Sequence, residues 1–175
     1  SDPKPIDAEN LDRNKLKKIA RHVNMSSFHC SGNCTLLARS VLYNINHGEE
    51  RLGAVNSFPI YKALKEEALQ SIIPTLEFGK RVKGIDEVES TVQTLHEIFG
   101  SHCFIVQAWR KIPGMNRSIG HAFNAVIIKG ADGSKQVQFV DAWRKRNPTP
   151  SKKELEKMYG NLSFDVELEM PSHFA

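Results

Sequence analysis

Cys34, His121 and Asp141 are the residues of this chain whose types and settings could do covalent chemistry together. Cys34 opens an apolar-striped run, CTLLARSVLYNINHG, and so falls in the first turn of an expected helix. Unpaired N–H groups and the positive dipole end at such a place favour thiolate over thiol. A histidine beside it lowers the thiol pKa further and gives a thiolate–imidazolium pair at neutral pH. An aspartate behind the histidine fixes the ring tautomer and stabilises its cation. Such a set attacks carbonyls, and the helix-start N–H groups point at whatever the sulfur attacks.

One stretch, GHAFNAVIIKGADGSKQVQFVDAW, places the histidine and the aspartate. Apolar and β-favouring residues fill His121–Ile128 and Val137–Ala142, and Gly130-Ala131-Asp132-Gly133-Ser134 between them is turn chemistry. Along one strand His121, Phe123, Ala125 and Ile127 share a face; along the other Val137, Phe139 and Asp141 do. An odd loop keeps 121 and 141 on the same face of the pair. In one register they sit opposite, with Cβ atoms roughly 5 Å apart; in the other they are diagonal, roughly 7–8 Å apart and still in reach. An even loop would part them. For the hairpin alone, a polar pair on a solvated face explains these residues equally well, and Cys34 alone fits a buried helix-start cysteine. The combination is what forms a coherent set.

The whole chain narrows the function classes. Its 175 residues suit one domain with a sizeable core, read as a single catalytic domain over 1–175. The abrupt Ser1-Asp2-Pro3 start suggests a domain excised or processed from a larger protein, with export signals on residues outside it. An apolar content of 40% with 25% charged residues marks a globular chain. No apolar run approaches the roughly 18–20 residues of a membrane span.

A net charge of +4 and a pI near 9.0 hint at an acidic partner. The basic residues lack the interleaved aromatics of a nucleic-acid platform, so no nucleic-acid partner is expected. Lys15, Lys17, Lys18 and Arg21 read as the solvated side of a helix, and Arg144-Lys145-Arg146 as a solvated turn. Cys30, Cys34 and Cys103 are too few and too odd in number for a disulfide scaffold. Cys30 and Cys34 with His29 lack a second ligand pair at structural-zinc spacing, so neither metal nor other cofactor is expected.

The elements that must position the three residues follow in order. Leu16, Ile19, Ala20 and Val23 stripe a surface helix over 10–23. Ser31, Gly32 and Asn33 suit the start of the Cys34 helix, whose stripe is Leu37, Val41 and Ile45 and whose stop is Gly48. Ser57 caps a further helix closed by Pro74, and Asp86 with Glu89 has capping-box spacing for another ending at Gly100. Residues 76–85 between them have no assignment. HCFIVQAW reads as a central strand with Cys103 a small buried hydrophobe. Ser151 and Glu154 box a short helix, and Leu162 to Met170 alternate as a one-sided strand. The expected class is α+β, a helical N-terminal half packed on an antiparallel sheet.

The segments GNCTLLARSV, GHAFNAVI and VQFVDAW resemble, in that order, the motifs of the papain-fold bacterial toxins and effectors, a group that includes glutamine deamidases. The likeness extends to the deamidase domain of Pasteurella multocida toxin and to the effector OspI. The resemblance implies a papain-like cysteine hydrolase fold, with Cys34 as nucleophile, His121 as general base and Asp141 as orienting acid. It further implies secretion from a bacterium, action on a protein in the target-cell cytoplasm, and, for a toxin, a cognate immunity protein. Deamidation of a protein glutamine is the favoured activity. A papain-like protease or transglutaminase-like acyltransferase is the alternative, and a non-catalytic interaction domain a further one. This chain departs from the family in having Trp143 where a glutamine is common, two residues after the aspartate. Trp143 is therefore read on the substrate side, and Asn33 as a donor to the oxyanion. Cys30 reads most simply as packed under its loop; the alternative is a redox latch, a disulfide to Cys34 that silences the site until reduced.

Overall fold

The structure, a computed structural model, describes residues 5–24, 33–48, 76–111, 114, 118–160 and 162–169. The expected Ser57 helix and Cys30 lie outside these residues.

Two helices form where the apolar stripes were read. In α1 (Arg13–Val23) the Asp12 side chain accepts from Lys15 N at 2.8 Å, which starts the helix. Its buried residues are Leu16, Ile19, Ala20 and Val23, the stripe expected from spacing. In α2 (Asn33–His47) Leu37, Ala38, Val41, Leu42 and Ile45 are buried. Both helices lie on one face of a five-stranded sheet.

That sheet comprises β1 (Leu76–Lys83), β2 (Cys103–Lys111), β3 (Ser118–Lys129), β4 (Lys135–Val140) and β5 (Ser163–Glu169), in the order β1-β5-β2-β3-β4. Every pairing is antiparallel. β2 is central, and Cys103, Phe104, Ile105 and Val106 are wholly buried. Cys103 and Ile105 join the apolar layer under α1 and α2. Phe104 and Val106 join a second layer on the opposite face, with Phe123, Phe139 and Phe164. The continuous apolar run of β2 is thus the signature of a strand covered on both faces.

The second layer extends the expected architecture. On this face α3 (Ile85–Phe99), the helix read as ending at Gly100, contributes Val88 and Val92, and the C-terminal helix α4 (Lys152–Tyr159) adds Leu155, so helices from both ends of the chain cover the sheet. The class remains helices plus an antiparallel sheet. The unassigned segment forms β1, which the alternation concealed because its register shifts at Gly79. A Cβ there would lie 2.6 Å from the Val166 carbonyl oxygen. The Asp86 cap does not form either: α3 begins at Ile85 behind Gly84, whose φ is 83°. Asp86 sits in the first turn and pairs with Lys152 of α4. The Ser151–Glu154 capping box does form, and Gly100 ends α3 in the left-handed conformation at φ 76°.

Candidate active site

The hairpin takes the diagonal register. Asn124 faces Val140 and Lys129 faces Lys135, with five loop residues between the strands. The turn is closed by Gly130 N donating to Ser134 O at 2.7 Å, and Asp132 Oδ1 accepts from Ser134 N. The strand expected to run to Ala142 ends at Val140. Beyond it the chain folds on itself: Asp141 N donates to Pro148 O at 2.8 Å, and Arg144 N donates to Asp141 O at 3.0 Å.

This early end creates the site. β4 covers β3 only as far as Asn124, leaving the outer edge of β3 from Phe123 back towards Ser118 unpaired by β4. The start of α2 enters that notch. The Cys34 sulfur takes a hydrogen bond from the Ala122 backbone N–H and another with the His121 ring, and a third with Thr35. His121 Nε2 lies 2.6 Å from Asp141 Oδ2, which leaves Nδ1 as the ring nitrogen for sulfur. The Asp141 side chain is 1% exposed and that of His121 is 17% exposed, so the pair is largely shielded from water. The structure therefore brings together the three residues singled out by type.

Their electrostatics suit the arrangement. Burial disfavours the imidazolium, but the hydrogen bonds and charges of Asp141 and Cys34 outweigh it and push His121 up to about 9. Burial likewise opposes a thiolate at Cys34. The hydrogen bonds from His121 and Ala122, with the ring's charge, overcome it and hold the thiol below its ordinary value of 9.0. Both directions favour thiolate and imidazolium over a neutral pair near pH 7. Cys103 is the contrast: burial pushes its thiol up, and among the described residues its sulfur's hydrogen-bond partners are Asn124 Nδ2 and its own neighbour's carbonyl.

Several supporting residues were not legible in advance. Arg144, read as part of a solvated turn, donates from Nε to Asp141 Oδ2 at 3.1 Å. Tyr159 of α4 shares a hydrogen bond with Arg144, and its ring stacks 6.4 Å from that of His121. Asn24 Nδ2 donates to Ala142 O at 2.8 Å and so pins the turn beside Asp141. Asn124, fully buried, donates to Ala38 O of α2 at 2.9 Å and to Phe104 O of β2 at 3.1 Å, tying the Cys34 helix to the sheet. The signal for Arg144 was its place three residues after Asp141; tertiary contacts alone select the others.

Trp143 donates its backbone N–H to Asp141 Oδ1 at 3.3 Å, and its indole meets the His121 ring edge-on at 5.4 Å. The indole thus stands beside the His121–Asp141 pair. Asn33 opens α2, but its side chain is outside the described part of the structure. Among the described residues no three His, Cys, Asp or Glu side chains converge as metal ligands.

A family model described as Salmonella plasmid virulence protein SpvD matches residues 2–167. Two curated relatives are virulence protein vsdE of Salmonella typhimurium and virulence protein SpvD of Salmonella dublin. Each is 34% identical over 155 residues, covering 87% of this chain and 72% of the relative. The solved structure of Salmonella effector SpvD, G161 variant, matches with a TM-score of 0.78 at 32% identity, covering 96% of this chain and 83% of that one. The R161 variant matches with a TM-score of 0.67 at 30% identity, covering 93% and 82%.

Proposed function

The chain belongs to the SpvD family of Salmonella virulence effectors, and from that premise we propose that it is a papain-like cysteine hydrolase that deamidates a glutamine side chain of a target-cell protein. The observation that carries this reading is the Cys34–His121–Asp141 chain of hydrogen bonds at the start of α2. No other thiol among the described residues has a histidine partner.

In this reading the Cys34 thiolate attacks the side-chain amide carbon, and the carbonyl electrons move to oxygen. Backbone N–H groups of the first turn of α2 stabilise that oxyanion. His121 gives its proton to the departing nitrogen, which leaves as ammonia, and a thioester to Cys34 remains. Water, deprotonated by His121, then attacks the thioester; glutamate and free Cys34 result. Asp141, held by Arg144 and by the Trp143 N–H, keeps the ring aligned throughout. The effector would be exported from the bacterium and act in the host cytoplasm.

Two measurements test the proposal. Iodoacetamide should label Cys34 well below pH 8.5, where a free thiol is still largely protonated. Peptide mass spectrometry of target-cell lysate treated with the protein should show a gain of about 1 Da at a glutamine that Cys34→Ala protein does not produce. New peptide termini in place of that gain would make the same triad a protease, and neither change would leave an interaction domain.

A further inference from the structure

The turn after Asp141 and the helix α4 enclose a cleft of about 490 Å³ that no step of the proposed chemistry uses. We propose that this cleft is a substrate subsite for acidic side chains, Asp or Glu, lying near the modified glutamine in the target polypeptide. The inference rests on reading Cys34 as the nucleophile and supplies the class of sequence that this nucleophile meets.

Charge is the first argument. Four cations line the cleft, Arg144, Lys145, Arg146 and Lys157, against one carboxylate, Glu154. That carboxylate is committed elsewhere: Oε1 accepts from Ser151 N in the capping box and Oε2 accepts from Asn147 Nδ2 at 2.6 Å. Arg144 is committed to Asp141. Lys145, Arg146 and Lys157 make no ion pair among the described residues. Three unneutralised cations around one concavity, partly walled by apolar surface, hold a positive potential that favours anionic ligands.

Continuity is the second argument. Trp143 lines the cleft and also meets the His121 ring at 5.4 Å, so one side chain forms a wall of both places. An extended peptide advances roughly 3.3 Å per residue. A polypeptide with its glutamine at Cys34 that continues past Trp143 is therefore carried towards the lysines. Trp143 and Met158 supply the apolar surface on which the stems of such side chains rest. The shared wall favours a polypeptide over a nucleic acid, because the neighbouring chemistry acts on an amide.

The test uses two fluorescent eleven-residue peptides with a central glutamine, one with Asp and Glu around it and one with Ser in their places. Anisotropy with the wild-type chain should show the acidic peptide binding at least about tenfold tighter, a preference that fades towards about 0.5 M salt. The Lys145→Glu/Arg146→Glu/Lys157→Glu variant should lose the preference while keeping its melting temperature and its rate of Cys34 alkylation. The acidic peptide should also slow alkylation of Cys34 in the wild type. Equal affinity for the two peptides would overturn the proposal. So would a preference that survives the triple variant, or binding that leaves alkylation unslowed. A thymidine oligonucleotide that binds where the acidic peptide does not would give the cleft to nucleic acid instead. Failure of the hydrolase reading is separately visible as a Cys34 that alkylates no faster than a free thiol.

Discussion

His121 Nε2 and Asp141 Oδ2 lie 2.6 Å apart although the two residues do not face each other across the hairpin. The register pairs Asn124 with Val140, which makes 121 and 141 diagonal, and the contact is completed because the chain leaves the ladder after Val140. Asp141 is then held by the Arg144 side chain and the Trp143 N–H rather than by a strand partner. Against the opposing effect of burial, this carboxylate, ahead of Cys34, raises the His121 pKa.

Asp141→Asn tests that role. The amide fills the same space without the charge, so the His121 pKa should fall from about 9 towards 6.5. The alkylation profile of Cys34 should move to higher pH with it, and turnover of a substrate should drop by about 10³-fold or more. NMR titration of the His121 ring reads the pKa directly. An unshifted ring would show that Asp141 serves the turn and not the histidine.

Cys34→Ala and Cys103→Ala should separate chemistry from packing. Cys34 is partly exposed beside His121, so its loss should abolish modification, about 10³-fold or more, and leave the fold stable. Cys103 is wholly buried between α2 and the sheet, so its loss should cost roughly 1–2 kcal/mol with activity retained. Chemical denaturation and an activity assay on the same two proteins decide it. A Cys34→Ala protein with near-normal activity would end the assignment.

Asn124→Ala should act on the site at a distance. Its amide ties Ala38 O of α2 to Phe104 O of β2, both buried. Removing it leaves those contacts unmade and a small void, at a cost of about 1–3 kcal/mol. Because Cys34 lies one turn before Ala38 on the same helix, alkylation of Cys34 should also lose its pH advantage. Loss of stability without any change at Cys34 would limit Asn124 to the core.

The candidate site was more legible than the architecture. Parity along two strands and a cysteine at a helix start are local properties, so 34, 121 and 141 could be picked by type and spacing. What closes the site is not local: Arg144 hides in a basic run, and Tyr159 and Asn124 matter only through partners far along the chain. β1 was unreadable because a bulge at Gly79 breaks the alternation and Arg81 is spent on Asp165 of β5. The helices on the second face were read as helices, but nothing in their stripes says which side of a sheet they cover. Strand order places β5, β2 and β3 inside, and the two apolar layers cover the sheet on both faces.

As pH changes, His121 and Cys34 pull the stability of the fold in opposite directions. His121, raised to about 9, contributes fully below its unfolded value of 6.5 and loses that contribution as pH rises through about 9. Cys34, lowered from 9.0, contributes fully above 9.0 and loses that contribution as pH falls through its folded value. Below the His121 value of about 9, wherever the folded thiol has lost its proton and the unfolded one has not, the folded pair carries one proton on the imidazole and the unfolded chain carries one on the thiol. Proton uptake therefore cancels, and the melting temperature of the wild type should be flat across this window as far as the pair is concerned. Cys34→Ala removes the compensating half and leaves a histidine still raised by Asp141. Its stability should fall relative to the wild type as pH rises, with a slope of at most about 1.4 kcal/mol per pH unit. Thermal unfolding of both proteins in a pH series measures the difference. Parallel curves would mean a thiol whose proton affinity folding leaves unchanged, and the thiolate–imidazolium pair would have to be abandoned.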